Sequence, residues 1–318
     1  MGHVPVRVHV VAAAIFDDQG RVLISQRPAH VHQGGLWEFP GGKLEEGESA
    51  EQALHRELSE ELGIEVRHAQ PLITVPYSYP EHHVRLDVWQ VTEFEGDARG
   101  CEGQPLAWVS SDQLDEYRFP EANSLIIHAI QLPALYMITG KPADQPELFL
   151  TKLEKALQRG IRLVQLRAKG LHEEALLVLA RQAVSLTRQY GAKLLLNGSP
   201  ALLEKLPELD GIQLSSDRLT EFKARPIALQ KLLGVSCHSP EQLRHAELIG
   251  ADFALLSPVQ ATKSHPGDEP LGWDCFSQWV AETSIPVYAL GGMDVLLEGE
   301  ARQRGGQGIA AISALWES

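Results

Sequence analysis

Two patterns of apolar residues follow one another along the chain. In the first part, "VRVHVVAAAIFD" alternates into an apolar stretch, "DDQG" predicts a turn, and "RVLISQR" is typical of the partner strand of a hairpin. "VRLDVWQVTEF" alternates again and places Val84, Leu86 and Val88 on one face of a strand. The short apolar helix "LIIHAIQL" closes this part. The pattern predicts an α+β domain over residues 1–131, with a mixed sheet between helices.

From "LPALYMITG" onward, short apolar strands alternate with helices. A helix predicted from Pro146 to Gln158 carries its apolar residues at the spacing of a core-facing stripe. The strand-like segments are "LYMIT", "LVQLRA", "KLLLN", "GIQL", "LLGVSCH", "FALLSPV", "IPVYALGG" and "GIAAISAL". Eight strands that alternate with helices predict an α/β (β/α)8 TIM barrel over residues 135–318. A doubly wound sheet is the alternative. We expect the domain boundary between Gln131 and Leu135.

Between the first strands lies the acidic stretch "GGKLEEGESAEQALHRELSEELGI". Ser49 followed by Gln52 is a capping-box pattern, so we expect a helix to begin at Ser49. At about 100° per residue, Glu57, Glu60 and Glu61 fall on one side of it. Like charges at this spacing cost a few tenths of a kcal/mol per pair. One interpretation is a solvated acidic face; the other is a site for Mg²⁺ or Mn²⁺, which prefer oxygen ligands.

Composition and charge restrict the class of protein. The 318 residues are enough for two domains, and the net charge of −14 argues against broad binding to a nucleic-acid backbone. The three cysteines form no CxxC pair, which favours a reducing cytoplasm over a disulfide framework. The apolar run near the N-terminus is too short to span a bilayer. We therefore expect a cytoplasmic protein that binds neither nucleic acid nor membrane.

The spacing of the acidic stretch decides between the two interpretations of it. From Gly42 the sequence has five residues, then Glu48, then seven residues, then "RELSEELGI". This pattern matches the Nudix box, and residues 5–131 resemble the MutT branch of that family, with "WEFPGGK", "EGQPLAW" and "FPEAN" in the expected order. The resemblance implies Mg²⁺-dependent hydrolysis of 8-oxo-dGTP to 8-oxo-dGMP and pyrophosphate, a reaction that removes an oxidised nucleotide from the pool before DNA replication.

The resemblance also implies roles for particular residues. Arg56 would orient Glu57, and Glu48 would pair with Arg56. The metal ligands would be the Gly41 carbonyl and the carboxylates of Glu57, Glu60, Glu61 and Glu102. Which carboxylate acts as the general base stays open.

Recognition of the base is expected at other positions. Asn123 matches the asparagine that reads the purine edge, since an amide offers both a donor and an acceptor. Arg27 and Phe39 match nucleotide contacts. Core packing is the alternative for Phe39, and an N-cap of the next helix is the alternative for Asn123. Glu81 and His82 depart from the family pattern, which predicts a looser selection of 8-oxoguanine.

Residues 135–316 resemble the family of thiamine-phosphate synthase and TenI. "VQLRAKG", "QLSSDRL", "SPVQATKSHPG", "LGW" and "ALGGMD" stand in the family's order. Gly198 takes the place of a metal-binding carboxylate, which weakens the case for synthase activity. His238 in "GVSCHS" matches a histidine that transfers protons in the TenI branch of this family. The alternative is a structural role, which is more common for a lone histidine at the end of a strand. The site candidates are Gln165, Arg167, Lys169, Asn197, Asp217, His238, Thr262, Lys263, Gly291 and Gly292.

Three accounts of the whole chain follow. In the first, the protein hydrolyses 8-oxo-dGTP and the barrel is a second enzyme or an accessory domain that takes a thiazole or pyrimidine phosphate. In the second, the Nudix half hydrolyses thiamine-pathway diphosphates and both halves serve thiamine metabolism. In the third, the barrel binds a ligand without catalysis. The sequence predicts neither the oligomeric state nor communication between the two sites.

Overall fold

The computed structural model describes residues 6–31, 33–78, 82–140, 146–168, 170–262 and 269–317. The chain divides into two compact units: the first runs to Gln131 and includes Ala281–Ser284, and the second comprises Leu132–Val280 and the residues from Ile285 onward.

The first unit is built on a mixed sheet. The strands are β1 Val6–Phe16, β2 Arg21–Gln26, β3 Trp37–Glu38, β4 Glu65–Ser78, β5 His82–Glu95 and β6 Leu106–Ser110. Their order is β3-β2-β1-β5-β4, and β6 pairs with β2. β1 runs parallel to β5, whereas the remaining pairs are antiparallel. Helix α1, Ala50–Leu62, packs on one face of the sheet, and helix α2, Asn123–Gln131, packs on the other.

Local signals account for helix α1. The Ser49 side chain accepts a hydrogen bond from the Gln52 amide, and the Gln52 side chain accepts one from the Ser49 amide, so the predicted capping box is confirmed. Gly63 ends the helix in the left-handed conformation at φ 67°. Leu54, Leu58 and Leu62 are fully buried against the sheet, with Ala53 beside them. The apolar stripe thus fixes which side of the helix faces the solvent.

The long strand β4 is a feature that the apolar pattern does not predict. It contains Pro71 and Pro76, and three register irregularities interrupt its pairing with β5. β4 lies at the edge of the sheet, the position where a residue without an N–H group is tolerated. The prolines and bulges break the period-2 alternation on which the prediction of a strand depends.

The second unit is a closed barrel, as predicted. Its strands are parallel, in the order β7-β8-β9-β10-β11-β12-β13-β14 around the barrel. They are β7 Leu135–Ile138, β8 Leu163–Leu166, β9 Lys193–Asn197, β10 Gly211–Leu214, β11 Leu232–Cys237, β12 Phe253–Leu256, β13 Val287–Leu290 and β14 Gly308–Ala311. The helices among the described residues are α3 Pro146–Gln158, α4 Glu173–Gln189, α5 Leu202–Lys205, α6 Ser216–Leu219, α7 Pro240–Leu248, α8 Gly272–Val280, α9 Glu298–Gln303 and α10 Ser313–Trp316.

Two apolar layers hold the barrel together. The outer layer lies between strands and helices and includes the stripe of α3, in which Phe149, Leu153 and Leu157 are buried. The inner layer fills the barrel, where the rings of Tyr136, Phe253 and Tyr288 pack with centroids 5.3 to 5.7 Å apart. The interior is therefore a packed core, and a site has to be sought at the C-terminal ends of the strands. Within the described ranges, no helix is long and apolar enough to cross a bilayer.

Candidate active sites

The segment Pro40–Gly41–Gly42, which we call the glycine turn, is hydrogen-bonded to strand β1. The amides of Val11 and Ala13 donate to the carbonyls of Gly42 and Pro40, each at 2.8 Å. Gly41 lies between these two carbonyls at φ 150°, and a Cβ there would stand 2.1 Å from the Val11 oxygen. Only glycine fits this position. In the described residues the Gly41 carbonyl has no hydrogen-bond donor, so it is free to bind a ligand.

Arg56 holds two carboxylates of the acidic stretch. Its Nε and Nη2 donate to Glu48 at 3.0 and 2.9 Å, and its Nη1 donates to Glu57 at 2.8 Å. Nη2 also donates to the Lys43 carbonyl at 3.0 Å. The Arg56 guanidinium holds the pKa of Glu48 below its usual range, chiefly through these hydrogen bonds. Arg56 therefore fixes the position of Glu57 beside the glycine turn, where a Cβ at Gly42 would stand 2.1 Å from the Glu57 carboxylate.

Glu61 lies at the centre of the negative charge. Its carboxylate accepts a hydrogen bond from the Gly41 amide at 3.2 Å. Burial raises the pKa of Glu61 to about 7 against the opposing effect of that bond, and the carboxylates of Glu57, Glu38 and Glu102 raise it further. A partly buried carboxylate with three like-charged neighbours is a site where a cation is strongly favoured.

The carboxylates predicted to bind metal differ in their exposure to solvent. Glu60 points toward solvent, with 62% of its side chain exposed and a contact of 3.4 Å to Arg56. Successive residues of a helix point about 100° apart, and here the Glu61 carboxylate contacts the glycine turn while Glu60 faces the solvent. Glu102 is exposed, in a loop tied to the end of α1 by Gln104, which donates to the Glu61 carbonyl at 3.1 Å.

The donor chemistry of this site fits a divalent cation. Carboxylate and carbonyl oxygens are the ligands that Mg²⁺ and Mn²⁺ prefer. Across the described residues, no three side chains of His, Cys, Asp or Glu are already gathered around one point.

Two of the residues expected at the base follow directly after strands, Arg27 after β2 and Phe39 after β3. Arg27 forms an ion pair with Glu38. Burial raises the pKa of the Glu38 carboxyl against the opposing effect of Arg27. Phe39 is buried, and the ring of Phe119 stacks on it at 5.4 Å. The accessible aromatic surface therefore belongs to Phe119, which is half-buried.

Asn123 is the first residue of α2, and its backbone amide donates to the Pro120 carbonyl at 3.0 Å. Within the described part of the chain its side-chain amide has no partner, so both its donor and its acceptor are available. Glu81 lies outside the described residues, and the side chain of His82 is not described. Glu38 and Phe119 were not predicted from the sequence, although "WEFPGG" and "FPEAN" contain them.

A second group of polar residues lies at the C-terminal ends of the barrel strands, which we call the barrel mouth. Gln165 on β8 is buried, and its amide lies 3.2 Å from that of Asn197, the last residue of β9. The Arg167 amide donates to the Thr139 hydroxyl at 3.0 Å, and no partner of its guanidinium is found among the described residues. Gln165, Arg167 and Asn197 thus lie at neighbouring strand ends.

His238 follows β11 at the barrel mouth. Its Nδ1 lies 2.8 Å from the Ser257 carbonyl, which can only accept a hydrogen bond. In the neutral ring Nδ1 therefore carries the hydrogen, and Nε2 is left as the acceptor. The ring is exposed, so Nε2 is able to exchange a proton with a ligand.

Glycines line the far side of the mouth. Gly291 and Gly292 follow β13 at φ 96° and 68°, and a Cβ at either would stand 2.8 Å from atoms of the loop after β12. Their amides donate to no carbonyl in the described backbone, which suits an anion. Asp217 is exposed in α6, and Thr262 is half-buried. Lys169 and Lys263 lie outside the described residues.

Comparison with known proteins finds a match for each unit. The model of the NUDIX domain matches residues 11–129, and the model of thiamine monophosphate synthase matches residues 135–315. An 8-oxo-dGTP diphosphatase of Escherichia coli (strain K12) is 38% identical over 121 residues, which are 38% of this chain and 94% of that protein. A CTP pyrophosphohydrolase of the same strain is 37% identical over 134 residues, 42% of this chain and 96% of that protein. A putative thiamine-phosphate synthase 2 of Aquifex aeolicus (strain VF5) is 37% identical over 188 residues, 59% of this chain and all of that protein.

Proposed function

The chain belongs to the Nudix hydrolases through its first unit and to the thiamine monophosphate synthase family through its second, and from this we propose that it hydrolyses 8-oxo-dGTP to 8-oxo-dGMP and pyrophosphate with Mg²⁺. The observation that carries the proposal is the placement of the Glu57 and Glu61 carboxylates beside the glycine turn, each fixed by a hydrogen bond. The E. coli relative named as an 8-oxo-dGTP diphosphatase supports the substrate.

Each residue of the cluster has a separate task. Arg56 holds Glu57 in place, and the Gly41 amide holds Glu61. Glu57, Glu61, Glu102 and the Gly41 carbonyl would hold the cation, with Glu60 as an outer carboxylate. A bound divalent cation neutralises phosphate oxygens and lowers the pKa of water. Asn123 offers a donor and an acceptor, which suits the edge of an oxidised guanine.

The reaction leaves a distinctive pair of products. Intact protein is incubated with 8-oxo-dGTP and Mg²⁺, and the products are followed by ³¹P NMR. We expect a nucleoside monophosphate and pyrophosphate in equal amounts, and far slower formation of both by the Glu57→Gln variant. Release of orthophosphate would contradict the proposal. Glu51→Gln is the matched control, because Glu51 is exposed in the first turn of the same helix.

For the barrel we propose a thiazole or pyrimidine phosphate as the ligand. The amides of Gly291 and Gly292, which donate to no carbonyl of the described backbone, and the Arg167 guanidinium are groups that bind phosphate. Gly198 supplies no carboxylate for a metal, which favours a monophosphate over a diphosphate. His238, with Nε2 as an acceptor, supports a proton-transfer role in such a site. Exchange of His238 for Asn without loss of any barrel activity would refute that role.

A further inference from the structure

The loop of residues 99–104 is hydrogen-bonded to the C-terminal end of helix α1. The Cys101 amide donates to the Glu61 carbonyl at 2.9 Å, and the Arg99 amide donates to the Leu62 carbonyl at 3.1 Å. The last carbonyls of a helix have no partner within the helix itself. The loop therefore supplies donors that α1 lacks, and these contacts bring the loop beside Glu61.

The side chain of Gln104 makes a second connection between the loop and the helix. Its Nε2 donates to the same Glu61 carbonyl at 3.1 Å, and its Oε1 accepts from the Glu102 amide at 2.9 Å. A backbone carbonyl only accepts and a backbone N–H only donates, so both contacts require the same orientation of the Gln104 amide. Gln104 thus bridges the backbones of two residues whose carboxylates are expected to bind metal.

A glycine in the loop gives independent support for this arrangement. A Cβ at Gly100 would stand 2.1 Å from the Gln104 carbonyl oxygen and 3.0 Å from its Oε1. Non-bonded atoms do not approach as closely as the first of these distances, so a side chain at residue 100 would displace Gln104. The absence of a side chain at Gly100 leaves the space in which the half-buried Gln104 makes its two hydrogen bonds.

Glu102 differs from the other carboxylates of the site in how its position is fixed. Glu57 and Glu61 are held by hydrogen bonds to the carboxylates themselves. No hydrogen bond to the Glu102 carboxylate is found within the described part of the chain, and the residue is exposed. The backbone of Glu102 therefore decides where its carboxylate can reach, and the contact with Gln104 fixes that backbone.

We infer that Gln104 is a positioning residue of the metal site in the first unit, which holds the Glu102 backbone at the end of α1 so that the Glu102 carboxylate reaches the cation bound by Glu57 and Glu61. Gln104 itself is not expected to bind the metal, because both ends of its amide are already hydrogen-bonded. The inference rests on the proposed function for the metal site, and it does not depend on which nucleotide is hydrolysed.

The hydrogen bond is tested in the absence of metal. Amide hydrogen exchange of Glu102 is measured by NMR in the intact wild type, in Gln104→Met and in Gln131→Met. Gln131 is the matched control, because its side chain also donates to a backbone carbonyl of the first unit, that of Ser111 at 3.0 Å. We expect the Glu102 amide to exchange about five- to tenfold faster in Gln104→Met only. An unchanged exchange rate would contradict the bridge by Gln104.

Mn²⁺ binding tests the positioning role, and no nucleotide is present. The EPR signal of the free ion gives the Kd of the wild type, Gln104→Met, Glu102→Gln, the double variant and Gln131→Met. We expect Gln104→Met to weaken binding about tenfold and Gln131→Met to leave it unchanged. In the Glu102→Gln background, Gln104→Met should have little further effect, because Gln104 acts through Glu102.

The possible outcomes separate this inference from the proposed function. If Gln104→Met has no effect on Mn²⁺ binding, or the same effect with and without the Glu102 carboxylate, the positioning role is overturned while the metal site stands. If the wild type binds no Mn²⁺, the metal assignment fails and the positioning role fails with it. Gln104→Ala removes the same hydrogen bonds, and it replaces Gln104→Met if circular dichroism shows that variant to be unfolded.

Discussion

Replacing Glu61 with Gln should abolish hydrolysis and yet stabilise the metal-free protein. The pKa of Glu61 is about 7 in the fold and about 4.5 without the fold's influence. A raised carboxyl pKa means that the folded state keeps a proton that the unfolded state releases. The free energy of unfolding therefore falls as pH rises from about 4.5 to about 7 and levels off above that.

The size of the effect follows from the shift. At about 1.4 kcal/mol per pKa unit, the ionised carboxylate costs the metal-free fold up to about 3 kcal/mol at pH 8. Glutamine keeps the shape and removes the charge, so it should restore most of that amount. Near pH 5 the difference should shrink to below about 1 kcal/mol, since the native carboxyl is then protonated.

Thermal unfolding in EDTA at pH 5 and pH 8 measures the difference. A gain of about 3 kcal/mol at pH 8 should raise the melting temperature of the first unit by several degrees. Mg²⁺ should stabilise the wild type but not Glu61→Gln, because binding to the native state alone raises stability. Glu60→Gln is the control, since the Glu60 carboxylate is largely exposed. A loss of stability at pH 8, or a gain that does not depend on pH, would refute the reasoning.

Three further changes test other parts of the account. Glu57→Gln should lower kcat at least a hundredfold in a pyrophosphate-release assay while the circular dichroism spectrum is unchanged, since it removes a charge and little volume; retained turnover with Mg²⁺ would refute the metal assignment. Asn123→Ala should raise the use of dGTP relative to 8-oxo-dGTP in kcat/KM, and an unchanged ratio would leave base recognition to other residues. Gly234→Ala should destabilise the barrel by about 1–3 kcal/mol in urea unfolding, because its Cβ meets the Gln213 amide and the Phe253 ring; a neutral change would contradict the tight packing there.

Local signals were enough to predict the elements that position the first site. Helix α1 carries its start, its apolar stripe and its end within fifteen residues, from Ser49 to Gly63. Strand β4 escaped prediction because Pro71 and Pro76 mask its alternation, and its place at the sheet edge is decided by the tertiary fold. The unequal exposure of Glu60 and Glu61 likewise depends on how far α1 is rotated against the sheet.

The interior of the barrel shows what a sequence pattern cannot supply. Alternation predicts which residues of a strand face inward, and it explains why Tyr136 and Gln213 are buried. Their hydrogen bond joins β7 to β10, two strands that are not neighbours in the sheet. Such a contact exists only after the sheet has closed into a barrel, so the spacing of apolar and polar residues along the chain cannot predict it.

One comparison of specificity constants tests most directly whether 8-oxo-dGTP is the substrate of the first unit. We would measure kcat/KM of the intact chain with Mg²⁺ for 8-oxo-dGTP, dGTP, thiamine diphosphate and hydroxymethylpyrimidine diphosphate. We expect a preference of about a hundredfold for 8-oxo-dGTP over dGTP, which corresponds to roughly 2.7 kcal/mol of discrimination. A preference for either thiamine-pathway diphosphate would contradict it and would place both units in one metabolic route.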